Sequence, residues 1–325
     1  MIVDCHAHLV PPDLLAAIRK DAAKFPNVKQ IEDGGSLAFS FSGAKPTRPV
    51  SKPLSDISGR TAWMQKNGID KQVVGGWVDM FGYELPGAEA EAWSRLANDT
   101  LMAAAKAEAH FVPLATVPLG DGARAAAVLK AAMAAGFPGA MIGTLPRGVG
   151  SALDVADLDP FWAAADETGA VIHIHPSFDA GDVRVNDFGL ANGLGRITDA
   201  AVAVARLISA GHIAKYKNAK FFAPMGAAAL PFVLGRLKRN AAITPGVGDP
   251  VAGLAALYTD TILHDARVLK FVITMIGTER LMMGSDMPFP IGDMEPMKIV
   301  AEAGVSGAQA ASINGGLAAR LFRIQ

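Results

Sequence analysis

The chain has 325 residues, 51% of them apolar and 19% charged, and its 30 basic and 31 acidic side chains leave a formal net charge of −1. That much apolar material builds a large buried core and excludes a disordered chain. The even charge balance, without a run of Lys or Arg, gives no footprint for nucleic acid or an anionic membrane surface.

The chain begins with Ile2-Val3, a short apolar strand with no basic leader before it. Together with a single cysteine, Cys5, which excludes an intramolecular disulfide framework, this leads us to expect a cytoplasmic protein. Residues 30–60 then interrupt the pattern with Gly34-Gly35, prolines and a few alternating apolar positions, and read as an inserted loop or small hairpin over one end of the fold. Further short β-branched runs follow at 71–75, 111–116, 139–142, 170–173, 220–223 and 280–283. Ala-rich segments with apolar residues three and four apart lie between them, and 122–135 and 199–209 read as helices. The Ala-rich stretch 125–135 contains Lys130 and is far shorter than the roughly 20 residues a bilayer span needs, so no transmembrane helix is expected. No repeat or linker divides the chain, and a single domain over 1–325 is expected.

Alternating strands and helices fit a (β/α)8 barrel or an open doubly wound sheet. The polar residues favour the α/β barrel of the TIM type, whose chemistry gathers at the C-terminal ends of several strands. Asp4, His6 and His8 follow the first strand, His173 and His175 a middle one, and Asp286 a late one. A glycine-rich phosphate loop, expected after the first strand of a dinucleotide-binding sheet, is absent. His6 and His8 stand two apart in an extended segment, which turns both imidazoles to one side. Imidazoles joined by a carboxylate suit zinc and related divalent ions, and Asp286 is the best carboxylate candidate. Cys5, between the two histidines, faces away from them.

The stretches Val3-Asp4-Cys5-His6-Ala7-His8, Gly136-Phe137-Pro138-Gly139, His173-Ile174-His175-Pro176, Leu230-Pro231-Phe232-Val233-Leu234-Gly235-Arg236-Leu237, Tyr258-Thr259-Asp260, His264-Asp265 and Gly284-Ser285-Asp286-Met287-Pro288-Phe289-Pro290 occur in this order. In these the chain resembles the amidohydrolase-related family of the amidohydrolase superfamily, which includes aminocarboxymuconate-semialdehyde decarboxylase and aromatic-acid decarboxylases. The resemblance covers nearly the whole chain. It implies a divalent metal, zinc first and manganese second, held by His6, His8, His175 and Asp286, with His173 beside the ligands or in the core. It further implies Arg236 as the group that meets a substrate carboxylate, His264 and Asp286 as catalytic groups, and a homo-oligomer such as a dimer. The expected activity is non-oxidative decarboxylation of an unsaturated or aromatic carboxylic acid.

The chain departs from the family at one place. A histidine followed by glycines belongs after the strand at 220–223, where the sequence reads Pro224-Met225-Gly226-Ala227-Ala228-Ala229. Neither Pro224 nor Met225 transfers a proton, and positioned acid–base catalysis is typically worth about 10²–10⁴-fold in rate. Two other readings therefore stand beside the decarboxylase: a metal-dependent hydrolase of a cyclic amide, lactone or imide, and a catalytically impaired relative that binds metal and ligand. Phe39, Phe41, Trp77, Phe81, Tyr83 and Phe178 are candidate walls for an aromatic-acid pocket, and Arg48 or Arg60 a candidate second carboxylate clamp. His212, on an expected helix away from the strand ends, reads as surface or structural.

Overall fold

The computed structural model describes residues 1–178 and 180–325, with the side chain of Asp33 also outside the description. Its strands are β1 (Val3–His8), β2 (Val28–Asp33), β3 (Ser36–Phe41), β4 (Lys71–Gly75), β5 (Phe111–Pro113), β6 (Gly139–Gly143), β7 (Val171–His175), β8 (Lys220–Phe222), β9 (Thr259–Asp260) and β10 (Leu281–Met282). Helices occupy most of the intervals between them, so the chain has a mixed helix and strand architecture.

Except for the β2–β3 pair, every strand pairing is parallel. The orders are β1-β4-β5, β6-β7-β8 and β9-β10. Single bridges join these groups: Ala115 to Ala140, Phe222 to Tyr258, and Ala7 to Met287, the last returning to β1. Cys5 N donates to Met283 O at 2.9 Å and Asp286 N to His6 O at 2.8 Å, so the late segment is tied to the first strand. Gly139 shows why one of these strands needs glycine, because a Cβ there would stand 1.9 Å from Val171 O in the neighbouring strand.

Aspartates cap two of the helices. Asp121 accepts from Ala123 N and Arg124 N at the start of Gly122–Ala134, and Asp265 accepts from Arg267 N at the start of Ala266–Ile276. Ile172 and Ile174 of β7 join Phe161, Trp162, Val204 and Leu207 from two helices in the largest apolar cluster. Fully burying such side chains contributes about 1.5–3 kcal/mol each. Alternation turns His173 and His175 to the other face of β7. His212 is buried beside Trp162, with ring centroids 6.3 Å apart, which is the structural and not the surface one of its two expected places.

The inserted region is a hairpin followed by two helices. β2 pairs antiparallel with β3 through a turn at Gly34 and Gly35, whose φ values of 55° and 83° favour glycine. An irregular stretch at 42–51 follows, and then helices Lys52–Ser55 and Ile57–Lys66. Phe39 and Phe41 pack against Trp93 of helix Gly87–Ala107, with ring centroids 6.3 and 5.2 Å away. The hairpin is therefore anchored on that helix through an apolar cluster. Among the described residues, no helix is long and apolar enough to cross a membrane.

Candidate metal centre

His6 and His8 lie on β1, His175 is the last residue of β7, and Asp286 follows β10 by four positions. One ligand-type atom from each of the four lies within 4.8 Å of all the others. His6, His8 and His175 are buried, and the Asp286 side chain keeps 13% of its exposure.

Each histidine is aimed by what its Nδ1 touches. His6 Nδ1 lies 2.8 Å from Asp260 Oδ2, His8 Nδ1 lies 3.2 Å from Gly76 O, and His175 Nδ1 lies 2.9 Å from Pro176 O. All three partners are acceptors, so Nδ1 carries the hydrogen in the neutral rings and the Nε2 lone pairs remain free. His6 Nε2, His8 Nε2 and Asp286 Oδ1 are buried without a hydrogen-bond partner, although His8 Nε2 and Asp286 Oδ1 stand only 3.2 Å apart. Buried polar atoms left unpaired are costly, and a divalent cation among them removes that cost. The donor set of three imidazoles and one carboxylate fits such an ion.

The electrostatics agree. Burial pushes His8 and His175 below the ordinary imidazole pKa, keeping both in the neutral form that binds metal. Burial also works against protonated His6, but Asp260 and Asp286 outweigh it and raise its pKa. Burial would raise the Asp286 carboxyl, yet His8, His6 and Arg196 hold it below the usual carboxylate range. Asp286 also has a left-handed backbone with φ 58°, a conformation costing a non-glycine residue roughly 1–2 kcal/mol and found most often at functional sites.

Beneath the cluster lies a buried network. Ser285 Oγ and Gln72 Nε2 donate to Asp4 Oδ2, Ser285 N donates to Asp4 Oδ1, and Arg60 donates to Gln72 Oε1 and His8 O. Arg60, read as a candidate carboxylate clamp, is thus 2% exposed and committed to structure. Arg48, the other candidate, closes its guanidinium on Asp79 at 2.9 and 3.0 Å.

The cluster opens into a cavity of about 760 Å³ lined by His6, His175, Asn192, Arg196, Met225 and His264 among others, with Asp286 in its wall. Three expectations meet this cavity differently. His264 lines it, with a left-handed backbone at φ 57°. Arg236 does not line it: the residue is exposed on helix Leu230–Ile243, whose partly buried Leu234 and Leu237 face the core. Of the six aromatic candidates, none lines the cavity, because Phe39, Phe41, Trp77, Phe81 and Tyr83 pack into apolar clusters and Phe178 lies against Arg48 and Arg196. The aromatic wall consists instead of Phe232 and Phe271.

At the site of the missing histidine, Met225 and not Pro224 lines the cavity. Its N donates to Asp260 Oδ1 at 2.7 Å, so Asp260 holds both His6 and the Met225 turn. Sequence reasoning gave Asp260 no role, and it overlooked Arg196. A carboxylate at the end of an Asp-containing strand match was the available signal for Asp260; Arg196 had none.

The amidohydrolase family pattern matches residues 3–324, and the chain belongs to this family. It is similar to 2-amino-3-carboxymuconate-6-semialdehyde decarboxylase of Dictyostelium discoideum, 23% identical over 316 residues covering 92% of this chain and 84% of that protein. The Caenorhabditis elegans enzyme of the same name is 22% identical, with 92% of this chain and 88% of that protein covered. Among solved structures, 5-carboxyvanillate decarboxylase from Sphingomonas paucimobilis superposes with a TM-score of 0.82 at 21% identity, covering 100% of this chain and 99% of that one. The Novosphingobium aromaticivorans enzyme, in complex with manganese and 4-hydroxy-3-methoxy-5-nitrobenzoic acid, gives 0.80 at 20% identity, covering 99% and 96%.

Proposed function

We propose that the chain is a metal-dependent carboxy-lyase that removes carbon dioxide, without an oxidant, from an unsaturated or aromatic carboxylic acid. The observation that carries this reading is the convergence of three imidazoles and the Asp286 carboxylate at the edge of a large cavity. The decarboxylases among its relatives support the reaction class. The fold reads as one domain, a (β/α)8 barrel of β1 and β4 to β10, with the site at strand C-terminal ends.

His6, His8, His175 and Asp286 would hold a zinc or manganese ion, which supplies Lewis acidity toward a substrate oxygen. The chain's own residues supply the rest. Ile262, Leu263, Val268 and Phe271 give the substrate one apolar wall to lie against. A proton is delivered to the carbon bearing the carboxylate, the carbon–carbon bond breaks, its electron pair returns to the unsaturated system, and carbon dioxide leaves. Met225 has no proton to give, and His264 is the imidazole outside the ligand set that lines the cavity.

Met225 also favours a second reading, hydrolysis of a cyclic amide, lactone or imide with Asp286 taking up the proton of water. The metal-loaded protein, incubated with a panel of hydroxybenzoic and muconic-type acids, is expected to release carbon dioxide, and Asp286→Ala to release none. Opening of lactones or amides with the acids untouched would replace the first reading by the second, and silence on both panels would overturn them together.

A further inference from the structure

Among the described residues, a buried cation in the wall of the cavity meets no anion. Arg196 begins helix Arg196–Ser209 just after a π-helical segment, Ala191–Gly195, and is 7% exposed. It lines the cavity beside His175, Met225 and Asp286. Its Nε is buried without a hydrogen-bond partner, and among the described residues its guanidinium makes no ion pair. Its one specific contact is the ring of Phe178, whose centroid lies 4.8 Å from its Cζ. Arg48 also stands over Phe178, at 4.0 Å, but is neutralised by Asp79. The two cations thus share a platform, and among the described residues Arg48 is paired while Arg196 Nε is left without a partner.

A guanidinium out of water without a partner is expensive, and a planar anion meeting two of its parallel donors relieves the cost. Burial and Arg48 both work against the charged form of Arg196, while Asp286 and Asp79 favour it without bonding to it. Tyrosine, lysine and a further arginine are absent from the cavity lining apart from Arg267, which is exposed and forked onto Asp265.

We propose that Arg196, steadied on Phe178, is the carboxylate clamp of this cavity and the residue that selects acids over their neutral analogues. It occupies the role that the family resemblance gave to Arg236. The proposal rests on the reading of the cavity as an acid-handling site, but it concerns binding, so it can be tested apart from turnover.

The test is calorimetric binding of benzoate and of neutral benzamide to the protein, metal-loaded and chelator-treated. Benzoate is expected to bind both forms. Arg196→Met should weaken benzoate roughly 10- to 100-fold in the chelated protein, Arg196→Lys should weaken it less, and benzamide should bind all three alike. The melting temperature of Arg196→Met should stay level or rise, because removing an unpaired buried charge does not destabilise. Benzoate binding that is undetectable, that vanishes with the metal, or that is unchanged in Arg196→Met would overturn the clamp. So would equal weakening of benzamide, or a lowered melting temperature, which would mark a structural arginine. If benzoate binds through Arg196 while no acid is ever decarboxylated, the clamp stands and the carboxy-lyase reading falls.

Discussion

Asp260 accepts from His6 Nδ1 at 2.8 Å through one oxygen and from Met225 N at 2.7 Å through the other. A single fully buried carboxylate therefore orients a candidate ligand and fixes the turn beside it. Such partners fix the tautomer of a ligating imidazole and raise its basicity. Asp260→Asn is expected to lower metal affinity about 10- to 100-fold. Competition with a chromogenic chelator measures this, and an unchanged affinity would remove Asp260 from the site.

The proposed proton donor, His264, and the methionine that stands in the family histidine's place separate by substitution. His264→Asn should lower kcat about 10²–10⁴-fold with its substrate KM little changed, and Met225→Leu should leave kcat nearly intact. Steady-state assays of carbon dioxide release read both. An unchanged kcat in His264→Asn would remove His264 from proton delivery.

The Met225 turn is strained. Met225, Ala227, Ala228 and Ala229 all have φ between 52° and 61°, in a left-handed turn with Gly226. L-residues lose roughly 1–2 kcal/mol each in that region, part of which is offset by their smaller entropy in the unfolded chain. Ala229 is exposed, so its methyl contributes little packing. Ala229→Gly should stabilise the protein by about 0.5–1 kcal/mol. Urea unfolding measures it, and a destabilised variant would contradict the strain.

His173 is fully buried, both ring nitrogens lack partners, and its ring stacks on Phe222 at 4.1 Å. Burial pushes its pKa well below the ordinary value, and His6 and His8 add to the effect. The unfolded chain takes up this proton near pH 6.5, and the folded protein does so only at much lower pH. The resulting stability is therefore complete above pH 6.5 and is lost as pH falls below it. In metal-free protein, His173→Leu should reduce the slope of unfolding free energy between pH 6 and 5 by about 1.4 kcal/mol per pH unit at most. Identical slopes would show that His173 is protonated in the folded state.

Much of this was legible in the sequence. The His6 and His8 pair was readable because strand alternation has a fixed period of two, and the same rule turned His173 and His175 to one side. Helix Gly122–Ala134 was readable from its apolar spacing. β9 was not, because two residues, Thr259 and Asp260, are too few to show a period. Arg196 was hidden because a π-helical segment shifts the helical phase immediately before it. Arg236 does not line this cavity, because a family position says nothing about which helix face meets it. The aromatic residues of the hairpin were misplaced because Trp93 offered them an apolar surface remote in sequence.

The most direct test of the metal centre is elemental analysis of the purified protein beside Asp286→Ala and His8→Ala. The account predicts close to one zinc or manganese per chain in the wild type and a large loss in both variants. A wild type without a divalent metal, or variants that keep it in full, would contradict the assignment of His6, His8, His175 and Asp286.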